Sequence, residues 1–161
     1  MRAPSHTVVF EEVKQGLKNE KLTLEQGLNF ICHLLHERVI AYDWVGFYFA
    51  DFESKMLHLK SFSGTPTEHT SIPFGKGICG QVALSNKNFV VPDVTAQDNY
   101  IACSLDVRAE LVVPLFLEGQ NIGQIDIDSK SPDPFSKEDE TFLEAVCELV
   151  ASTYGNSLKQ L

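Results

Sequence analysis

Asp126 and Asp128 stand two positions apart in the run Gly-Gln-Ile-Asp-Ile-Asp-Ser at 123–129. In a strand, successive side chains point to opposite faces, so Gln124, Asp126 and Asp128 share one face and Ile125 and Ile127 the other. The two carboxylates then lie roughly 7 Å apart at Cα. Two readings fit this pattern. One is the solvated outer face of an antiparallel sheet. The other is an anionic wall that holds an ammonium group, in which crowding raises at least one carboxyl pKa and leaves a proton donor near neutrality.

Three further groups carry chemical potential. Cys103 sits in the run Tyr-Ile-Ala-Cys-Ser at 100–104, with Arg108 five residues on and Glu110 opening the strand that follows. A cysteine in a partly polar loop near a cation is a better nucleophile than one on an apolar helix stripe. Trp44, Gly46 and Tyr48 alternate, so two rings flank a glycine. That arrangement forms a recess for a small apolar group such as a methyl, or else a core strand in which glycine accommodates a neighbouring helix. Gly-Lys-Gly-Ile-Cys-Gly at 75–80 is a glycine-rich turn feeding a helix. Backbone amides at a helix N-terminus suit an anion such as a carboxylate, and the dipole favours the thiolate of Cys79. The run is not a P-loop, because the Gly-Lys-Ser/Thr ending is missing.

These groups need elements to hold them. Leu24, Leu28, Ile31 and Leu35 recur at helical spacing after Thr23, a fitting N-cap. A last helix starts at Ser136, with Asp139 as a weaker form of the capping box and a buried stripe of Phe142, Leu143, Val146, Cys147 and Val150. Between them lie strands at 44–50 and 56–62, joined by a turn at 51–55, a short strand at 89–91 stopped by Pro92, and a hairpin of 111–117 with 122–127. A short helix is expected over 78–85. Antiparallel strands with helices at both ends predict an α+β fold with helices packed on the sheet. The segment 93–110 is long for a connection, as binding loops often are. Cys32 and Cys147 fall on apolar helix faces and read as core residues. Cys32, His33 and His36 match no standard zinc spacing.

Composition narrows the function. The chain has 161 residues, 43% of them hydrophobic, and 13 Lys+Arg against 22 Asp+Glu for a net charge of −9. It reads as one domain, 1–161, with a helical lead-in over about 1–40. The acidic balance argues against nucleic acid and against an anionic membrane surface, both of which demand a basic footprint. No run approaches the roughly 18 apolar residues of a membrane span. The first residues, with Glu11 and Glu12 following a short apolar run, do not read as a signal peptide, so a cytoplasmic, reducing compartment is expected. The four cysteines contain no Cys-x-x-Cys.

The segments 43–48, 75–80, 101–103, 110–115 and 125–129, in this order and spacing, together resemble the free methionine-(R)-sulfoxide reductases, which are stand-alone GAF domains. The likeness runs from Asp43 to about Cys147 and extends to the run at 135–140. It implies a six-stranded antiparallel sheet with helices packed on it. It implies reduction of free methionine-(R)-sulfoxide, with Cys103 as the attacking thiolate. Trp44 and Tyr48 would hold the S-methyl region, and Glu110, Asp126 and Asp128 would form a polar wall for the ammonium group and the sulfoxide oxygen. The resemblance also implies a disulfide intermediate, thioredoxin as reductant and a homodimer; neither a cofactor nor a metal is expected. Many members carry a third cysteine ten residues before the Cys79 position, where this chain has His69. Resolution of the oxidised Cys103 then falls to Cys79.

Two other readings remain. A non-catalytic GAF sensor binding a cyclic nucleotide finds a faint echo in Asn86, Lys87, Phe89 and Asp93, but Val94 stands where that branch has a glutamate, and an acidic wall suits a phosphate badly. A divalent-cation site of Glu110, Asp126 and Asp128 would suit Mg²⁺ or Ca²⁺, yet the chain supplies no recognised metal loop.

Overall fold

The structure, a computed structural model, describes residues 4–96 and 106–161. In chain order the elements are α1 (His6–Glu20), α2 (Leu24–Arg38), β1 (Trp44–Asp51), β2 (Met56–Ser63), β3 (Ser71–Pro73), α3 (Gly77–Ser85) and β4 (Phe89–Val91). A 3₁₀ turn (Val94–Ala96), β5 (Ala109–Leu117), β6 (Gln120–Ser129) and α4 (Lys137–Leu158) complete it. The strands form one sheet in the order β3-β2-β1-β6-β5-β4, and every neighbouring pair is antiparallel. The α+β class and the six-stranded antiparallel sheet expected from the sequence are therefore present. No helix among the described residues is long and apolar enough to cross a membrane.

The helical lead-in consists of two helices, α1 and α2. Lys21 takes a left-handed conformation (φ 48°) that stops α1, and Thr23 starts α2. Its Oγ1 accepts from Gln26 N–H at 3.2 Å, while Gln26 Oε1 accepts from Thr23 N–H at 3.0 Å. This reciprocal capping satisfies two amides that would otherwise lack partners. At α4 the Asp139 carboxylate does the same for Ser136 N–H at 2.8 Å. Its other oxygen accepts from Tyr42 Oη at 2.7 Å and pairs with His6 Nε2 at 3.0 Å, so one buried acid ties α1, the approach to β1 and α4 together. Strand β3 was not legible: it is three residues long and pairs only with β2.

The sheet separates two cores. On one face α1, α2 and α4 close over Val45, Phe47, Phe49, Leu111, Val113, Leu115, Ile125 and Ile127. Each fully buried large side chain there stabilises the fold by about 1.5–3 kcal/mol. On the other face a smaller cluster joins Trp44, Tyr48, Val112 and Leu57 to Ile78, Cys79 and Val82 of α3.

Candidate active site

Strand register gathers the residues singled out above. Along β1 and β6, Trp44 lies opposite Asp128, Gly46 opposite Asp126 and Tyr48 opposite Gln124. Along β6 and β5, Glu110 lies opposite Asp128 and Val112 opposite Asp126. Directly opposed residues present their side chains on the same face. Trp44, Tyr48, Glu110, Asp126 and Asp128, scattered over 85 positions of sequence, thus occupy one patch on the α3 side of the sheet.

That face is not solvated. Glu110 is 3% exposed, Asp126 and Asp128 1% each, and Gln124 is fully buried. The solvated reading of the Asp126 and Asp128 face is therefore overturned, because α3 and its flanking turns lie over it. Gly80 makes this cover possible: a Cβ there would sit 2.5 Å from the carbonyl oxygen of Pro73, so only glycine lets α3 close onto the end of β3.

Cys79 is the third residue of α3 and points into the acidic patch. Its Sγ lies 3.9 Å from Glu110 Oε2. Gln124 Nε2 donates to the Cys79 carbonyl oxygen at 3.1 Å and so fastens the first turn of α3 to β6. The sequence placed Gln124 on the acidic face but gave it no task. The signal was its place in the alternation; what was missing was knowledge of which backbone would stand above it.

Burial pushes the Glu110 carboxyl well above the usual carboxylate range, and the neighbouring charges of Asp126 and Asp128 push it the same way. Asp126 is also raised, chiefly by burial. At least one acid of the patch thus holds a proton under conditions where an exposed carboxyl has lost it, and that proton is available to a hydrogen-bond acceptor.

The aromatic pair differs from its expected form. Trp44 and Tyr48 do share the face, with ring centroids 6.5 Å apart. Gly46 leaves no recess between them, however: a Cβ on it would lie 2.3 Å from the Trp44 indole, which folds along the strand across the glycine and stacks on Phe62 at 5.8 Å. The absent side chain makes room for the indole itself, not for a ligand methyl and not for a helix. Trp44 Nε1 donates to the Thr65 carbonyl at 3.0 Å and Tyr48 Oη to the His69 carbonyl at 2.8 Å, so both rings are held by the segment between β2 and β3.

Two small cavities flank the acids. One, about 10 Å³, is bordered by Tyr48, His69, the first turn of α3, Glu110 and Asp126. The other, about 20 Å³, is bordered by Trp44, Thr65, Asp106, Val107 and Asp128. A larger hollow of about 580 Å³ lies between Phe10 and Phe142, but size does not select it as the site: it has none of the buried, facing carboxyls.

Cys103 lies outside the described residues. The chain on either side of the segment 97–105 meets at the end of β6, where Val94 N–H donates to the Arg108 carbonyl and Arg108 N–H to that of Ser129, both at 2.8 Å. Asp106 borders the cavity at Trp44 and Asp128 and pairs with Lys130 Nζ at 3.3 Å. Cys32 and Cys147, by contrast, are buried in the opposite core. Burial raises both thiols, that of Cys32 to about 12.

A family model described as GAF domain matches residues 23–154. The chain is 38% identical over 135 residues to GAF domain-containing protein A of Dictyostelium discoideum, covering 84% of this chain and 77% of that one. It is 32% identical over 143 residues to the free methionine-R-sulfoxide reductase of Saccharomyces cerevisiae, covering 88% and 79%. Among solved structures, the free methionine-R-sulfoxide reductase from Neisseria meningitidis in complex with its substrate superposes with a TM-score of 0.88 at 33% identity, covering 97% of this chain and 92% of that one.

Proposed function

Because the chain belongs to the GAF-domain family and, within it, to the free methionine-R-sulfoxide reductases, we propose that it reduces free L-methionine (R)-S-oxide to L-methionine by cysteine chemistry. The observation that carries this reading is the buried acidic row of Glu110, Asp126 and Asp128 beside Cys79, on the face that also bears Trp44 and Tyr48. A free amino acid brings an ammonium group, and three buried acids are a place for one. A phosphate-bearing ligand such as a cyclic nucleotide would be repelled by the same row.

In this reading the sulfoxide oxygen accepts a hydrogen bond from a protonated acid of the row, Glu110 being the group that burial shifts most clearly. The sulfur becomes electrophilic as its oxygen gains the proton. The thiolate of Cys103 attacks the sulfur, so that Sγ and the hydroxyl are both bound to it; the hydroxyl then passes to Sγ as the S–O bond and the new S–S bond break, the electron pair stays on the substrate sulfur, methionine leaves, and Cys103 is left as a sulfenic acid. A second thiol, that of Cys79, displaces this oxygen as water and forms a disulfide. Thioredoxin exchanges its dithiol for that disulfide and restores both cysteines. Trp44 and Tyr48 hold the methyl end of the substrate. No metal or cofactor takes part in these steps. Both cavities on the acidic face are far smaller than an amino acid, so substrate entry shifts the cover over it. The enzyme works in a reducing, cytoplasmic compartment, as a homodimer.

Purified protein supplied with thioredoxin, its reductase and NADPH tests the reading when each resolved epimer is offered in turn. NADPH loss with the R epimer of the free amino acid, and none with the S epimer, is the expected result. Equal consumption with both epimers, or none with either, would count against it. A cyclic nucleotide that raises the melting temperature while methionine sulfoxide does not would favour a sensor instead.

A further inference from the structure

Buried acids without a compensating cation are costly. Among the described residues Glu110 and Asp126 form no ion pair, and in the reductase reading a substrate ammonium offsets them only while substrate is bound. The row is not purely acidic. Cys79 Sγ and one oxygen each of Glu110 and Asp126 lie within 4.8 Å of one another. All three residues are at most 4% exposed. Neither oxygen of Asp126 has a hydrogen-bond partner at bonding distance among the described residues. The three also border the cavity of about 10 Å³, which admits about one water-sized particle and hence a single ion.

The donor set determines which ion. Mg²⁺ and Ca²⁺ favour oxygen alone, so a thiol among the ligands disfavours both. A thiolate with two carboxylates suits a borderline-soft divalent cation of the zinc class. We infer that the reduced, substrate-free protein binds one such cation through Cys79, Glu110 and Asp126, with water in the remaining position. Tetrahedral zinc holds a sulfur and an oxygen ligand about 3.5 Å apart. The Cys79 Sγ to Glu110 Oε2 distance of 3.9 Å needs only a small side-chain adjustment to match.

The exchange involves protons and no electrons. The ion displaces the proton of the Cys79 thiol and the proton held by the acids, and both pass to solvent, so affinity falls as pH falls. Two consequences link this site to the proposed reaction. Ion and substrate ammonium compete for the same carboxylates. Oxidation of Cys79 to a disulfide removes the sulfur ligand, so the oxidised protein releases the ion.

The experiment uses the full reduced chain, stripped with chelator and free of substrate. Zinc chloride is titrated calorimetrically, and cadmium chloride is titrated in parallel while the ultraviolet thiolate-to-cadmium band is followed. One equivalent should bind, with the band present. Cys79→Ser should remove the band, and Cys79→Ser and Asp126→Asn should each weaken zinc binding by more than about tenfold, since even indirect support of a metal ligand is worth that much. Asp126→Asn keeps the thiol in place, so a folding defect in the serine variant does not decide the matter. Cys103→Ser, inactive under the proposed chemistry, should bind the ion as the natural chain does. Absence of binding in the natural chain, a band that survives Cys79→Ser, or a band lost in Cys103→Ser would each overturn the site. Turnover assays run in chelator are independent of these results, so failure of the metal site and failure of the reductase reading are told apart.

Discussion

On β6, Ile125 and Ile127 enter a core closed by three helices, while Gln124, Asp126 and Asp128 enter a smaller one closed by α3. The two faces alternate along the same strands, and both are buried, yet Ile125 and Ile127 are apolar where Gln124, Asp126 and Asp128 are polar. The helical face holds two thiols, Cys32 and Cys147, that burial makes poor nucleophiles. Among the described residues the α3 face holds one thiol, Cys79, 3.9 Å from a carboxyl that burial pushes well above the usual carboxylate range. Apolar packing contributes to stability as area is removed from water. Buried acids at close range detract from it, and a protein keeps them where a ligand or a reaction uses them. In the proposed function the helical face supplies stability and the α3 face supplies the chemistry.

Thiol substitutions separate the faces most widely. Cys103→Ser should abolish turnover in the NADPH-coupled assay. Cys79→Ser should retain one turnover, seen as methionine released without thioredoxin, and lose continuous cycling; undiminished steady-state activity would remove Cys79 from the role of resolving thiol. Cys32→Ser and Cys147→Ser should keep cycling and lose about 1–3 kcal/mol of stability in urea denaturation, because each places a hydroxyl in an apolar core.

Adjacent positions on β6 give the next contrast. Asp126→Asn should lower kcat/KM by about 100-fold or more, the cost of removing one charged partner of a bound ammonium, with little loss of stability. Ile127→Ala should cost about 2–5 kcal/mol of stability and leave kcat/KM of the folded fraction close to its starting value. A common effect of both substitutions on both readouts would break the division.

A smaller effect is expected at Gly46→Ala. The new Cβ meets the Trp44 indole at 2.3 Å, so the ring must leave the strand and its stack on Phe62. Overpacking of this kind costs about 1–3 kcal/mol, and the displaced ring should raise KM more than it lowers kcat.

The smallest effect is in the pH dependence of stability. The native Glu110 carboxyl titrates above its ordinary value of 4.5, so the native chain holds a proton that the unfolded chain releases. Stability from this group is present below about pH 4.5 and falls as pH rises toward the raised native value. Asp126, also raised, acts with the same sign. Glu110→Gln should therefore flatten the fall of unfolding free energy above about pH 4.5 in denaturant titrations at several pH values. An unchanged slope would mean that the carboxyl is not shifted.

Much of this architecture was legible in the residues. Alternation at 123–129 separated Ile125 and Ile127 from Gln124, Asp126 and Asp128, and the caps at Thr23 and Ser136 marked two helix starts. The hairpin of β5 and β6 and the strands around the 51–55 turn followed from apolar runs bounded by turn residues. Other features depended on tertiary contacts that local pattern does not encode. The acidic face looked as suited to water as to burial, because what covers a strand is decided by α3, some 45 residues away from it in sequence. Gly46 promised a recess because the sequence does not say which way the Trp44 indole folds. Strand β3 is too short to show a period, and the break at Lys21 carries no glycine or proline to announce it. The candidate site was legible as a set of residue types; its assembly came from register, with Trp44, Glu110 and Asp128 meeting across three strands.

In the proposed reaction the α3 face recognises a free amino acid through its buried acids. Calorimetric binding to the Cys103→Ser protein, in which the proposed chemistry cannot proceed, decides this. Free methionine-(R)-sulfoxide should bind with a single-site isotherm, its N-acetyl derivative, which has no ammonium group, should not, and Asp126→Asn should remove the difference. Equal binding of the free and acetylated compounds by the protein with Asp126 intact would contradict the account.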